Sequence, residues 1–201
     1  MTQGRVLADR IIPGEGLAWD AARVAAANVL LVLCAWIALP LPWTPVPVTG
    51  QTFGVMLVAV LLGSRRAALV LALYLLEGLA GWPVFQPFGL PGAARLAGPT
   101  TGYLVAFPAA AFLTGWLVER WSGHGSDRGT NMISLPYLAA ALLAGEAVTF
   151  GAGCAWLATA FGLGWRGALA AGVAPFAAGE LIKMGLVVAV ARGAERSRPK
   201  G

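Results

Sequence analysis

The chain has 201 residues, 58% of them hydrophobic and 11% charged, against roughly 25% charged in an ordinary soluble domain, and its mean hydropathy is +0.74. These values exclude a soluble globular domain, and they exclude disorder too, because the 27 glycines and 13 prolines sit in a background too apolar to stay solvated. The net charge of +5 comes from basic residues scattered between apolar runs, a pattern of membrane orientation and not of nucleic-acid binding.

A helix crossing a hydrocarbon core of about 30 Å needs roughly 20 apolar residues, so the length allows about six spans and no separate soluble domain. Residues 1–20 carry Arg5, Asp9, Arg10, Glu15 and Asp20 and lack the continuous apolar middle of a cleavable signal peptide. They are expected to form a retained cytoplasmic segment. No charged residue occurs from Val24 to Ser64, room for two spans if Pro40, Pro42, Pro45 and Pro47 mark the break. Helix 1 is placed at residues 21–39 and helix 2 at 51–62. The second is short, so the extended PVPVTGQ run before it is expected at membrane depth, where irregular backbone must be buried in protein or line a cavity. After a turn at Arg65 and Arg66, helix 3 covers 67–81, and the long loop WPVFQPFGLPGAARLAGPT leads to helix 4 at 101–118. A polar loop separates this from helix 5 at 135–161. Helix 6 is placed at 175–192, because proline is favoured at the first helical position; the preceding GLGWRGALAAGVA is a loop or a surface helix. The domain plan is therefore a segment 1–20, a six-helix transmembrane domain 21–193 and a cytoplasmic tail 194–201.

The positive-inside rule, which played no part in placing the spans, tests this plan. One side collects Arg5, Arg10, Arg23, Arg65, Arg66, Arg120, Arg128, Arg192, Arg196, Arg198 and Lys200, and the other only Arg95 and Arg166. Both termini are expected to be cytoplasmic. Trp43, Trp82 and Trp165 fall near the outer boundary and Trp19, Trp116 and Trp121 near the inner one, as interfacial anchors do.

An ionisable group inside a span is costly and is a functional candidate whose partner should be named. Glu180 and Lys183 lie three apart on helix 6, hence on one face. They form either a structural ion pair or a site in which Lys183 receives a ligand anion and Glu180 accepts ligand N–H groups. Glu77 is close enough to a helix end to reach the interface, whereas Glu146 is deep and needs a partner that the sequence does not name. Thr49, Gln51, Trp82, Phe85 and Gln86 come from aromatic-rich segments on the same side as the start of helix 6, and Tyr103 opens helix 4; these supply the apolar walls and sparse polar groups of a small-molecule pocket. Interfacial anchoring by the same aromatics is the alternative. Cys34 and Cys154 read as small core residues, and His124 has no His or Cys companion for a metal or a triad. No cofactor, metal site or catalytic residue is expected, and without a GxxxxGK[ST] motif the chain has no ATPase site of its own.

The runs PLPWTPVPVTGQTFGVMLVAVLLGSRRAALVLALYLLEGLAGWPVF, AGPTTGYLVAFPAAAF and GVAPFAAGELIKMG, in this order across residues 25–192, resemble the BioY family, the biotin-specific membrane subunits of energy-coupling factor (ECF) transporters. The resemblance implies an all-α, six-helix S-component fold in a bacterial inner membrane. It implies a subunit that binds biotin from outside and releases it inside while docked on a transmembrane coupling subunit with two cytoplasmic ABC-type ATPase subunits, which use the ATP. It assigns biotin contacts to Glu180 and Lys183, and docking to small residues of helix 1, here Ala21, Ala22, Ala25 and Ala26, for which packing within the bundle is the alternative. The chain departs from the family pattern in having Glu180 where Asp is more frequent, and QPFGLPGAARL where a Gly-Gly pair is usual. An S component for another vitamin and a membrane scaffold without a ligand are the competing readings.

Overall fold

A backbone in hydrocarbon has to satisfy its own N–H and C=O groups, which makes helices of long apolar runs. The computed structural model describes Leu7, Asp9, residues 14–122 and residues 133–196. It contains α1 (Leu17–Trp36), strands β1 (Ala38–Leu39) and β2 (Val48–Thr49), α2 (Gln51–Leu79), a 3-10 turn at Gly92–Ala97, α3 (Thr101–Trp121), α4 (Leu135–Thr159), α5 (Gly164–Gly172) and α6 (Ala177–Arg196). The strands pair antiparallel, Ala38 opposite Thr49 and Leu39 opposite Val48.

α2 is a helical hairpin. A straight helix would hold Gln51 and Tyr74 about 35 Å apart at 1.5 Å per residue, whereas Gln51 Nε2 donates to Tyr74 Oη at 2.7 Å. The fold-back is at Gly63, whose φ of 76° and ψ of −179° lie in a region open essentially to glycine alone. The arms, residues 51–62 and 64–79, are the expected helices 2 and 3. The turn thus precedes Arg65 and Arg66, which belong to the second arm, because backbone freedom and not charge decides where a helix can reverse. Glu119 of α3 seals it, accepting from Ser64 N and Ser64 Oγ, both at 2.8 Å. Gly115 permits the approach, since a Cβ there would lie 2.5 Å from Ser64 N.

Among the described residues, four helices are long and apolar enough to span a bilayer, and α5 with α6, bent by 50°, pass the same test as one broken span. The fold-back divides one of the four in two, which gives six apolar helical segments and agrees with the six expected. The chain is a multi-pass membrane protein whose helices bury Leu31, Met56, Leu71, Tyr74, Leu142 and Leu157 and turn residues such as Val29, Leu33, Leu181 and Leu186 outward.

Several boundaries differ from expectation. α1 ends at Trp36 instead of residue 39, because Ala38 and Leu39 pair with the PVPVTGQ run and Ile37 O accepts from Gly50 N at 2.8 Å. That pairing serves the backbone of residues 48–50, while Val46 N donates to Thr44 Oγ1 and Gln51 N to Thr49 Oγ1, both at 3.2 Å. α6 begins at Ala177, with Pro175 in the turn that Phe176 N closes on Val173 O at 2.9 Å. The segment before that turn is the helix α5.

The two ends of the bundle differ. At one end, Trp36 Nε1 donates to Pro83 O at 2.9 Å, Trp156 Nε1 to Gly98 O at 3.0 Å and Thr44 Oγ1 to Ala171 O at 2.6 Å, tying the loops together. At the other end, Arg66 pairs with Asp9 at 2.6 Å and with Asp20 at 2.7 Å, and the buried Arg23 pairs with Asp20 at 2.8 Å. Arg65 and Arg120 lie at this second end, Arg95 and Arg166 at the first. Arg5, Arg10, His124, Arg128, Arg198 and Lys200 lie outside the described residues.

Replacing Gly63 by alanine forces a Cβ into a glycine-only conformation and is expected to cost about 1–3 kcal/mol, read as a lowered unfolding midpoint of the detergent-solubilised protein. An unchanged midpoint would remove Gly63 as the point on which the hairpin depends.

Candidate functional site

Three side chains meet where the first turn of α2 faces the first two turns of α6. Lys183 Nζ donates to Glu180 Oε1 at 2.7 Å and to Thr52 Oγ1 at 2.9 Å, and Thr52 Oγ1 donates to Glu180 Oε1 at 3.0 Å. The acid and lysine side chains are only 9% and 15% exposed. Helical spacing of three residues brings the pair together on α6, and Thr52 reaches them from the turn that Gly50 and Gln51 begin. Two of the ammonium donors are thus used within the cluster. Glu180 Oε2 is buried and has no hydrogen-bond partner among the described residues. An acceptor left without a donor in a dry place is costly, and it suits a ligand carrying an N–H group.

Gln51, beside Thr52, links this cluster to the aromatic residues. Its amide donates to Tyr74, its backbone N–H donates to Thr49 Oγ1 at 3.2 Å, and Tyr74 meets Phe85 edge to face at 5.3 Å. Phe85 packs so closely on α2 that a Cβ at Gly78 would fall 2.1 Å from its ring. Arg95 lies over the other side, 5.7 Å from the ring centroid, and donates to Phe88 O and, at 2.9 Å, to Gln86 O; burial draws its pKa below the ordinary arginine value. Gln86 is buried, and its Oε1 accepts from Phe88 N at 2.9 Å, so its side chain shapes its own loop. Tyr103 donates to Gly172 O at 2.9 Å and begins a ring series through Phe150, at 5.7 Å, to Phe176, at 6.2 Å from Phe150 and four residues before Glu180. Trp82 is 62% exposed, on the surface of the loop end.

Thr49, Gln51, Phe85, Glu180 and Lys183 are therefore brought into one continuous set, while Trp82, Gln86 and Tyr103 stand at its edge or serve the loops. Sequence reading missed Thr52, Tyr74 and Arg95. Tyr74 and Arg95 had a signal, a phenol and a cation inside apolar runs; Thr52 had none, since threonine in a span ordinarily bonds its own helix. Ala21, Ala22, Ala25 and Ala26 are all exposed on α1, so they do not pack within the bundle. A cavity of about 390 Å³ lined by Asp9, Asp20, Arg23 and Arg66 belongs to the ion-paired end and contains none of the expected site residues.

This fold and this site define a multi-pass helical membrane protein with a buried acid–lysine centre below an aromatic loop end. The BioY family model matches residues 8–200. A protein of Rhizobium etli named biotin transporter BioY is 37% identical over 157 residues, 78% of this chain and 82% of the relative. A second, from Rhodobacter capsulatus and of the same name, is 34% identical over 164 residues, 77% of this chain and 81% of its own length. Among solved structures, a crystal structure of the S-component for biotin from an ECF-type ABC transporter matches with a TM-score of 0.78 at 24% identity, covering 90% of this chain and 93% of that one. The chain belongs to the BioY family.

Removing one partner of a buried pair strands the other, at a cost of about 3–5 kcal/mol. Lys183→Met is expected to destabilise the ligand-free protein more than the double substitution Glu180→Leu with Lys183→Met, which strands neither member of the pair. Unfolding midpoints in the order opposite to this would mean that the pair is not buried.

Proposed function

We propose that the chain is the biotin-binding S component of an ECF transporter, taking biotin at the loop end of the bundle and releasing it at the ion-paired end. The observation that carries this reading is the pairing of Lys183 with a Glu180 carboxylate whose second oxygen is buried and unpartnered among the described residues. Biotin offers a match for both in one group, a cyclic urea whose N–H groups suit a carboxylate and whose carbonyl oxygen accepts from the ammonium beside it. The relatives' name, biotin transporter, supports the same ligand.

Orientation follows from charge. The end bearing Arg23, Arg65, Arg66 and Arg120 faces the cytoplasm of a bacterial inner membrane, which puts both termini inside and the Trp82 loop outside. The four alanines of α1 are exposed where a transmembrane coupling subunit, carrying two cytoplasmic ABC-type ATPase subunits, can approach closely, because small side chains allow helices to pack at short distance.

Equilibrium binding to the purified, ligand-stripped protein tests the ligand. Biotin is expected to bind one to one and to outcompete thiamin and riboflavin. Lys183→Ala is expected to weaken binding by roughly tenfold or more, since a charge-assisted contact contributes about 1.5–3 kcal/mol. A folded protein that binds no biotin would refute the assignment. For the docking face, Ala22→Trp with Ala25→Trp is expected to leave binding unchanged and to lower ATP-dependent uptake several-fold in cells that contain the coupling and ATPase subunits. Unaltered uptake would place the partner elsewhere.

A further inference from the structure

Glu146 is a second buried acid, only 8% exposed, and its Oε2, like that of Glu180, has no hydrogen-bond partner among the described residues. Its level in the bundle is fixed by its neighbours on α4. Phe150, four residues on, packs against Phe176 at 6.2 Å. Leu142, four residues back, packs in one cluster with Met184 and Val187. Residues four apart on a helix share a face, so Glu146 occupies the rung between a ring contact with Phe176, just before α6, and a cluster shared with α6. The residue midway between Phe176 and Met184 is Glu180. The first arm of α2 repeats the register, with Thr52 bonded to Glu180 and Met56 in the cluster of Met184. Glu146 accordingly lies within electrostatic range of both Glu180 and Lys183.

On this register two carboxyls, each with an oxygen that has no partner among the described residues, share a level of the bundle with a single lysine. A structural ion pair needs one acid. We infer that Glu146 is a specificity residue of this site, and that it and Glu180 each accept one of the two N–H groups of a cyclic urea held between α4 and α6. The inference rests on the reading that biotin is the ligand. It assigns the ureido end to the Glu146–Glu180 level and makes the site reject ring analogues that lack either donor. Such rejection is strong where a buried acceptor is left unpaired.

The test uses the full-length, detergent-purified protein and three ligands: biotin and its two mono-N-methyl isomers, each lacking one ureido N–H. The wild-type protein is expected to bind both isomers at least about tenfold more weakly than biotin. Glu146→Leu should weaken biotin binding about tenfold and abolish the penalty for one isomer while keeping it for the other. Penalties unchanged for both isomers in Glu146→Leu would overturn the inference and leave the biotin reading intact. A folded wild-type protein that binds no biotin would overturn that reading, and the inference with it. The isosteric Glu146→Gln gives a second readout that does not depend on the leucine variant folding. Biotin should shift a carboxyl infrared band in the wild-type protein, and that component should be missing from the Glu146→Gln difference spectrum. Identical difference spectra would show that Glu146 does not meet the ligand.

Discussion

Hydrocarbon gives no hydrogen bonds, so every polar atom placed in it must find a protein partner. Most of this molecule obeys. The PVPVTGQ run pairs with β1, the Trp82 loop is held by Arg95 and Gln86, and the turn at Gly63 is closed by Glu119. Against that background the buried side-chain atoms that have no partner among the described residues are informative, and two of them are carboxylate oxygens of Glu146 and Glu180. Selection for stability alone would replace a stranded acid with a leucine of similar volume at no loss. A site that completes itself only with a ligand gives a physical reason for keeping both.

The hairpin of α2 sets the geometry of that site. By reversing at Gly63, the chain returns Tyr74 to the level of Gln51, so one short arm presents Thr52 to α6 while its neighbour Gln51 reaches the aromatic side. The arm is too short to cross a bilayer fully, and the β-hairpin before it makes up the depth with backbone that is itself paired. Shortness is thus useful: the polar residues at the start of the arm, Thr49 at the end of β2 with Gln51 and Thr52 in the first turn of α2, are placed inside the protein and not at the water interface.

How much of this can be read from the sequence follows from what each feature depends on. Span number depends on summed apolarity, which is local and additive, so it is legible residue by residue. Glu180 and Lys183 are legible because opposite charges at i, i+3 inside an apolar run are too costly in hydrocarbon to sit there without a partner or a task. The expected turn lies two residues from the real one because Arg65 and Arg66 look like a loop, while Gly63 looks like any small residue in a membrane helix; only its φ identifies it. Thr52 and the setting of Glu146 are hidden for a different reason. Both depend on the register between helices far apart in sequence, Thr52 with Glu180 across 128 positions, and helical periodicity says which face is buried but not what it meets. Gln86 errs the other way, a polar residue in an aromatic loop that serves the loop itself.

The contrast between the two ends bears on direction of transport. At the ion-paired end, Arg23 and Arg66 share Asp9 and Asp20, a network of mutually satisfied charges that holds the start of α1 against the second arm of α2. At the loop end the bonds from one segment to another are single ones from indole and hydroxyl groups to backbone carbonyls, such as Trp36 to Pro83 and Thr44 to Ala171, while the charged Arg95 bonds within its own loop, to Gln86 O and Phe88 O. Neutral single bonds contribute about 1 kcal/mol each, and opening the loops would break few of them, whereas parting the other end would separate a shared network of four charged groups that includes the buried Arg23. Under the proposed function, this difference favours entry of the ligand past the loops and leaves the opposite end the more firmly held. Release on that side then calls for a partner, and the exposed alanines of α1 offer a face on which another helix can pack closely.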